Sequence, residues 1–232
     1  MTEPTEQRHA PLSRSPLDRW HATRRAQFAE RDGWRVPLVY TNAAAEVAAA
    51  RSGAAAADIS AFAKLSLHGH WASALTRAAS RPGAVARPLN ALDTLACRLS
   101  DDHLLLLATA PGASGFAECL EHLPPGAPLL RQDATSAYAG LWLFGPQMGD
   151  ILARLTPLDV GPTALPPGSC TETGLAGVHA LLIHPPGLSL PSLIVLLAPD
   201  AAEYVWERVF ACGVVVTPLG LDGLGELARP KG

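Results

Sequence analysis

Residues 32–64 read DGWRVPLVYTNAAAEVAAARSGAAAADISAFAK, and the order of textures in this stretch decides the fold. An aromatic and β-branched phrase around Trp34 and Tyr40 suits a strand, and an alanine run with one Glu and one Arg follows. Alanine loses no side-chain entropy on entering a helix, so residues 40–52 are predicted helical, with Glu46 and Arg51 on neighbouring faces. Gly53 ends or bends that helix. The stretch closes on Asp58-Ile59-Ser60 and passes into alternating apolar positions, Phe62, Leu65 and Leu67, that predict a strand stopping at Gly69.

Outward from this centre the chain alternates strand and helix signals. Upstream, residues 1–14 are polar and punctuated by proline, a flexible lead-in, and LDRWHATRRAQFAE (17–30) predicts a short helix. Downstream, WASALTRAAS (71–80) predicts a helix stopped by Arg-Pro-Gly. TLACRLSDDHLLLLAT (94–109) is a hairpin turning on Ser100-Asp101-Asp102, and SGFAECLEHL (114–123) predicts another helix. The rhythm then repeats. AYAGLWLFGP (137–146) is a strand, and QMGDILARL (147–155) is a helix with Met148, Ile151, Leu152 and Leu155 on its apolar face. Residues 175–199 give two strands around a proline-rich turn. DAAEYVWERVFACG (200–213) is an amphipathic helix capped by Asp200 and closed by Gly213. Residues 64–123 and 137–213 therefore use one pattern twice, which predicts a mixed α+β fold of two related lobes rather than a parallel doubly wound sheet.

Composition narrows the function classes. The chain has 232 residues, 48% hydrophobic and 17% charged, enough to bury a core, and a formal net charge of -3. Contact with a phosphate backbone needs clustered Lys and Arg, so nucleic acid is not an expected partner. Cys97, Cys119, Cys170 and Cys212 are widely spaced with no CxxC pair, the pattern of reduced thiols. The N-terminus has no apolar signal-like run and no later run has the length of a membrane span, so a cytoplasmic location and no membrane partner are expected.

Few residues carry chemistry. GLDGLG (220–225) lacks the glycine order of a dinucleotide loop and is expected to be a loop near the C-terminus. His68-Gly69-His70 offers two imidazoles without an evident third ligand, and a strand end turning on Gly69 accounts for it, so no metal is expected. No GxSxG, HExxH or P-loop pattern occurs. Asp93 stands directly before an apolar strand. It is either a turn residue capping its own backbone or a site residue whose carboxyl is tuned by the buried strand.

The opening stretch resembles the N-terminal signature of the glycine cleavage T protein family, the folate-dependent aminomethyltransferases. Gly33, Trp34, Pro37, Tyr40, Glu46, Arg51, Asp58 and Ser60 fall in register with it. LNALDTLACRLSDDHLLLLATAPG (89–112) resembles the family's segment of Leu-Asn, catalytic Asp, strand, turn and strand. YAGLWLFGPQMGDIL (138–152) and AEYVWERVFACGVVVTPLGLDGLGEL (202–227) resemble its next anchors in the same order. LDVGPTALPPGSCTETGLAGVHALLI (158–183) is similar to the gamma subunit of heterotetrameric sarcosine oxidase, a short, non-catalytic member of the superfamily.

The resemblance implies a folate-binding-type, aminomethyltransferase-like domain over residues 15–228, of two related α/β lobes without the family's C-terminal barrel domain. It implies tetrahydrofolate as cofactor, in a channel between the lobes, and a role in one-carbon metabolism. Asp93 would be the catalytic carboxylate, orienting the folate amines as a one-carbon unit is transferred. The other pterin contacts are replaced: the family's Tyr corresponds to Val85, its Glu to Ile194 and its Arg to Ala228. The alternative it implies is a non-catalytic subunit of a larger sarcosine-oxidase-like or demethylase complex, so the partner is a larger catalytic subunit or a second copy of the chain. Glu46 and Arg51 are read as tying their helix to the chain before and after it.

Overall fold

A computed structural model describes residues 12–69, 79, 81–87, 93–110, 116, 120 and 130–229. The helices expected over 71–80 and 114–123 lie outside the described residues, apart from isolated positions. The chain opens with β1 (Ser13–Arg14), α1 (Asp18–Thr23), β2 (Gln27–Arg31) and β3 (Trp34–Val39), the three strands forming one small sheet in the order β1-β3-β2. The helix expected over 17–30 therefore ends at Thr23. Arg25 takes a left-handed φ of 59°, and the chain leaves as a strand whose backbone pairs with β3. Pairing along β3 overrides the local helix preference, as tertiary context often does.

Next come α2 (Ala43–Ser52) and β4 (Ala54–Asp58). The helix starts later than expected because Asn42 caps it, accepting from the Ala45 N–H at 2.8 Å, and Gly53 closes it as expected. The alanines of β4 are fully buried, a strand with almost no intrinsic preference for being one.

Two larger sheets follow, and they share one plan. The first contains β5 (Lys64–His68), β6 (Val85–Ala86), β7 (Thr94–Arg98), β8 (His103–Ala108) and β9 (Leu130–Asp133), in the order β6-β7-β8-β5-β9. The second contains β10 (Ala139–Phe144), β11 (Ser169–Leu175), β12 (Val178–His184), β13 (Ser192–Leu197) and β14 (Val216–Leu219), in the order β11-β12-β13-β10-β4-β14. Adding five to each label of the first sheet gives the second, with β4 inserted between β10 and β14. Directions agree too. β9 is antiparallel to β5, and β14, parallel to β4 while β4 is antiparallel to β10, runs antiparallel to β10. The expected repeat is thus present as two lobes of a mixed α+β fold.

In the second lobe α3 (Met148–Leu155) and α4 (Ala202–Phe210) cover one face of the six-stranded sheet. Each buries a stripe at i, i+3, i+4 and i+7: Met148, Ile151, Leu152 and Leu155, then Ala202, Val205, Trp206 and Val209. Asp200 does not cap α4; it sits in a short 3-10 turn, Pro199–Ala201, and α4 has no side-chain cap. The GLDGLG stretch, expected to be a loop, is mostly helical, α5 (Leu221–Leu227). β11 goes beyond the sequence expectation, because its alternating Ser, Thr and Glu disguise a half-exposed edge strand.

The other face of the six-stranded sheet packs on the five-stranded sheet. Trp142, Phe144, Leu181, Ile183, Ile194 and Leu196 meet Leu95, Cys97, Leu105 and Leu107 in a single core that also takes in α2 and α5. No helix among the described residues is long and apolar enough to cross a membrane.

Candidate functional site

The site is built where the two lobes meet. Strand alternation puts Leu95 and Cys97 on the face of the first sheet that looks at the second. The β7–β8 ladder continues one step beyond Thr94, since the Thr109 N–H donates to the Asp93 carbonyl at 2.8 Å. Asp93 and Thr109 thus share that inner face, at the end of the hairpin strands, and Asp93 is exposed. Arg87, one step past β6, completes the rim. Its Nε donates to the Pro186 carbonyl of the β12–β13 loop at 3.4 Å, spanning from one lobe to the other, and its Nη1 lies 3.5 Å from the Thr109 hydroxyl. Burial lowers the guanidinium pKa from its ordinary value, and the Asp93 carboxylate opposes that shift.

Ser192 opens β13, at the end from which the Pro186 loop springs. Its Oγ and the indole Nε1 of Trp142 are buried without a hydrogen-bond partner on the inner face of the second sheet. Buried polar atoms are normally satisfied, so these two call for a polar guest or water. The positions that stand where the family resemblance expects pterin contacts offer no such help. Val85, Ile194 and Ala228 all fall in the interlobe core, buried and apolar. The polar groups of this face are thus the rim of Asp93, Arg87 and Thr109 and, inside the core, Ser192 Oγ and Trp142 Nε1.

Sequence reading placed Asp93 and missed Arg87, Thr109 and the Pro186 carbonyl. Alternation from Leu95 and from Val85 carried the signal for the first two; the loop carbonyl carried none.

Two other polar clusters lie elsewhere. Asp58 accepts hydrogen bonds from Ser15 Oγ, the Ser60 N–H at 2.9 Å and His21 Nε2 at 2.9 Å, and His21 Nδ1 meets the Tyr40 hydroxyl at 2.7 Å. Burial works to raise the Asp58 carboxyl, and the His21, Ser15 and Ser60 contacts outweigh it and hold the pKa below its ordinary value. Largely buried, this network ties α1 and the residue that follows β3 to β4. Glu46, also buried, accepts from the Tyr40 and Thr41 N–H groups at 2.7 and 2.9 Å and from the Gly220 N–H at 2.8 Å. Arg51 reaches Glu226 of α5 at 2.6 Å. Both therefore tie α2 to neighbouring chain, as their pairing in the sequence implied. No group of three or more His, Cys, Asp or Glu side chains among the described residues is arranged to hold a metal ion. His70 lies outside the described residues.

No protein-family model matches the chain. Among curated proteins, it is 26% identical over 224 residues to an aminomethyltransferase of Saccharopolyspora erythraea, covering 90% of this chain and 60% of that protein. It is 28% identical over 234 residues to the aminomethyltransferase of Desulforamulus reducens, covering 93% and 63%. With that of Mycobacterium avium the identity is 30% over 203 residues, covering 76% and 54%. The chain thus spans between 54% and 63% of the length of these relatives. Among solved structures, the glycine cleavage system aminomethyltransferase T of Bartonella henselae superposes with a TM-score of 0.71 at 20% identity, covering 94% of this chain and 62% of that one. A chain of heterotetrameric sarcosine oxidase from Corynebacterium sp. U-96 superposes with a TM-score of 0.58 at 19% identity, covering 95% and 98%. The chain is thus similar in sequence to part of the aminomethyltransferases and is built on the fold shared by the glycine cleavage T protein and that sarcosine oxidase chain.

Proposed function

We propose that the chain is a tetrahydrofolate-binding, aminomethyltransferase-like protein of one-carbon metabolism, with the folate held at the interlobe rim by Asp93. One observation carries this: Asp93 stands on the inner face of the first lobe, beside the arginine that bridges to the second. Tetrahydrofolate, when bound, supplies amine nitrogens that accept a one-carbon unit. The chain's part is positioning and charge. Asp93 accepts hydrogen bonds from the ring amines and stabilises positive charge that develops beside it. Arg87 and Thr109 hold the rim in shape. With Val85, Ile194 and Ala228 apolar, affinity rests on the rim, each missing hydrogen bond costing about 1–3 kcal/mol.

Calorimetric titration with tetrahydrofolate and 5-formyltetrahydrofolate tests this. Micromolar binding that Asp93→Asn weakens about tenfold or more supports the reading, since a neutral amide loses the charge-assisted hydrogen bonds. No heat from a folded sample would sink it. That outcome would favour a second reading, a non-catalytic subunit packed on a larger partner. Its support is the sarcosine oxidase chain, which this chain covers almost end to end, at 98%.

A further inference from the structure

At the opposite end of the interlobe face, away from Asp93, β5 and β8 bring two histidines together. His68 and His103 are directly paired across the strands. Their rings stack with centroids 4.1 Å apart and planes 20° from parallel. Both Nε2 atoms converge on one point, the Ser66 hydroxyl, at 3.0 Å from His68 and 2.8 Å from His103. Three side chains on the inner face of the sheet thus aim two imidazole nitrogens at a single oxygen. Beside them is a polar cavity of about 520 Å³ at the seam of the lobes, lined by His103, Ser100, Thr171 and Glu172, with Arg98 in its wall. Arg98 is engaged by Asp101 at 3.0 Å.

We propose that His68 and His103 form a two-imidazole site for a divalent ion of the late first transition row, such as Cu²⁺, Ni²⁺ or Zn²⁺, the remaining positions being taken by water from the cavity. The chemistry favours nitrogen-loving ions, since imidazole suits Zn, Cu and Ni whereas Mg and Ca take oxygen donors. Stacked rings point their Nε2 lone pairs almost side by side, and metal–nitrogen bonds are about 2.0–2.1 Å, so binding turns at least one ring out of the stack and replaces the hydrogen bonds of both rings to Ser66. A bound ion requires each ring to carry its proton on Nδ1, leaving Nε2 free. Asp102 and Glu172 place negative charge near the ion.

The full chain is titrated with Cu²⁺ and followed by electron paramagnetic resonance, with Zn²⁺ thermal shift as a second readout. Expected is a saturable copper signal with two equatorial nitrogens, weakened about tenfold or more by His68→Gln and by His103→Gln. His179→Gln, an exposed imidazole 3.5 Å from Glu172, should leave it unchanged. Ser66→Ala removes the hydroxyl competing for both nitrogens, so it should bind at least as tightly, and Zn²⁺ should raise its Tm and that of the wild type. Copper binding that survives both histidine substitutions overturns the proposal, as does the absence of a two-nitrogen signal in the wild type and Ser66→Ala.

Discussion

At the residue scale, Glu46 and Arg51 look like a matched pair in the sequence and carry very different weight. Glu46 is buried and is the acceptor for three backbone N–H groups from two chain segments. Glu46→Gln turns an amide NH₂ toward groups that can only donate, so urea denaturation should show a loss of about 2–4 kcal/mol. Arg51 and Glu226 are both mostly exposed, and Arg51→Ala should cost under about 1 kcal/mol and depend on salt. Lys64 is the other residue with leverage. Its buried ammonium donates to the carbonyls of Phe62 and Ser60 at 2.9 and 3.0 Å, and burial pushes its pKa down to about 8 from 10.5. Between those values the unfolded chain binds more protons than the folded one, so this group makes stability rise with pH. Below pH 8 the full cost of burying the charge is felt. Denaturation at pH 8 and pH 10 should therefore show wild type gaining on the order of 2 kcal/mol relative to Lys64→Met. Above pH 10 the raised pKa of Tyr40 acts in the opposite sense, because the folded state then keeps the extra proton.

At the scale of elements, locally encoded structure is legible in the sequence. The β7–β8 hairpin, β10, α3 and the β12–β13 pair follow from alternation or from an i, i+3, i+4, i+7 stripe. The failures share a cause. β4 is an alanine strand, the Gln27–Glu30 end of the 17–30 segment becomes part of β2, and GLDGLG becomes α5, each because contacts distant in sequence outweigh local preference. The last case is instructive, because glycines that weaken a helix permit its packing. A Cβ on Gly220 would sit 2.2 Å from the Leu38 carbonyl oxygen, and one on Gly223 would sit 2.7 Å from a Leu219 methyl. Gly220 starts α5 against β3, where its N–H also meets Glu46. Gly220→Ala collides with backbone that cannot easily yield, so thermal melts should show a fall of several degrees, whereas Gly225→Ala, with open space around it, should be neutral or slightly stabilising. Asp93 shows the same division at the site: its place before a strand was legible, but its neighbour Arg87 and the loop that Arg87 grips belong to different elements.

At the scale of the whole molecule, the two lobes join through equivalent edges. β6 and β11 occupy the same place in their sheets, and they pair with each other: Val85 N–H donates to the Gly168 carbonyl at 2.8 Å and Cys170 N–H to the Gly83 carbonyl at 2.7 Å, with Ala84 bridged to Ser169. Under the lobe repeat, Gly83, Ala84 and Val85 correspond to Gly168, Ser169 and Cys170, so the seam maps onto itself as a two-fold contact does. The glycines confirm it. Gly83 and Gly168 have φ of 81° and 83°, and a Cβ on either would stand 3.3 Å from a carbonyl oxygen of the other strand, that of Cys170 or of Val85. This seam lies between the Asp93 rim and the His68–His103 pair, so the spacing of both ends depends on it. A side chain in the left-handed region costs about 1–2 kcal/mol. Gly83→Ala and Gly168→Ala should therefore destabilise by similar amounts near that value in urea titration. Because the two positions share one pair of hydrogen bonds, the double variant should cost less than the sum, once the first substitution has already loosened the seam. Full additivity would mean that the two glycines relax independently and that each lobe holds its own edge without the other.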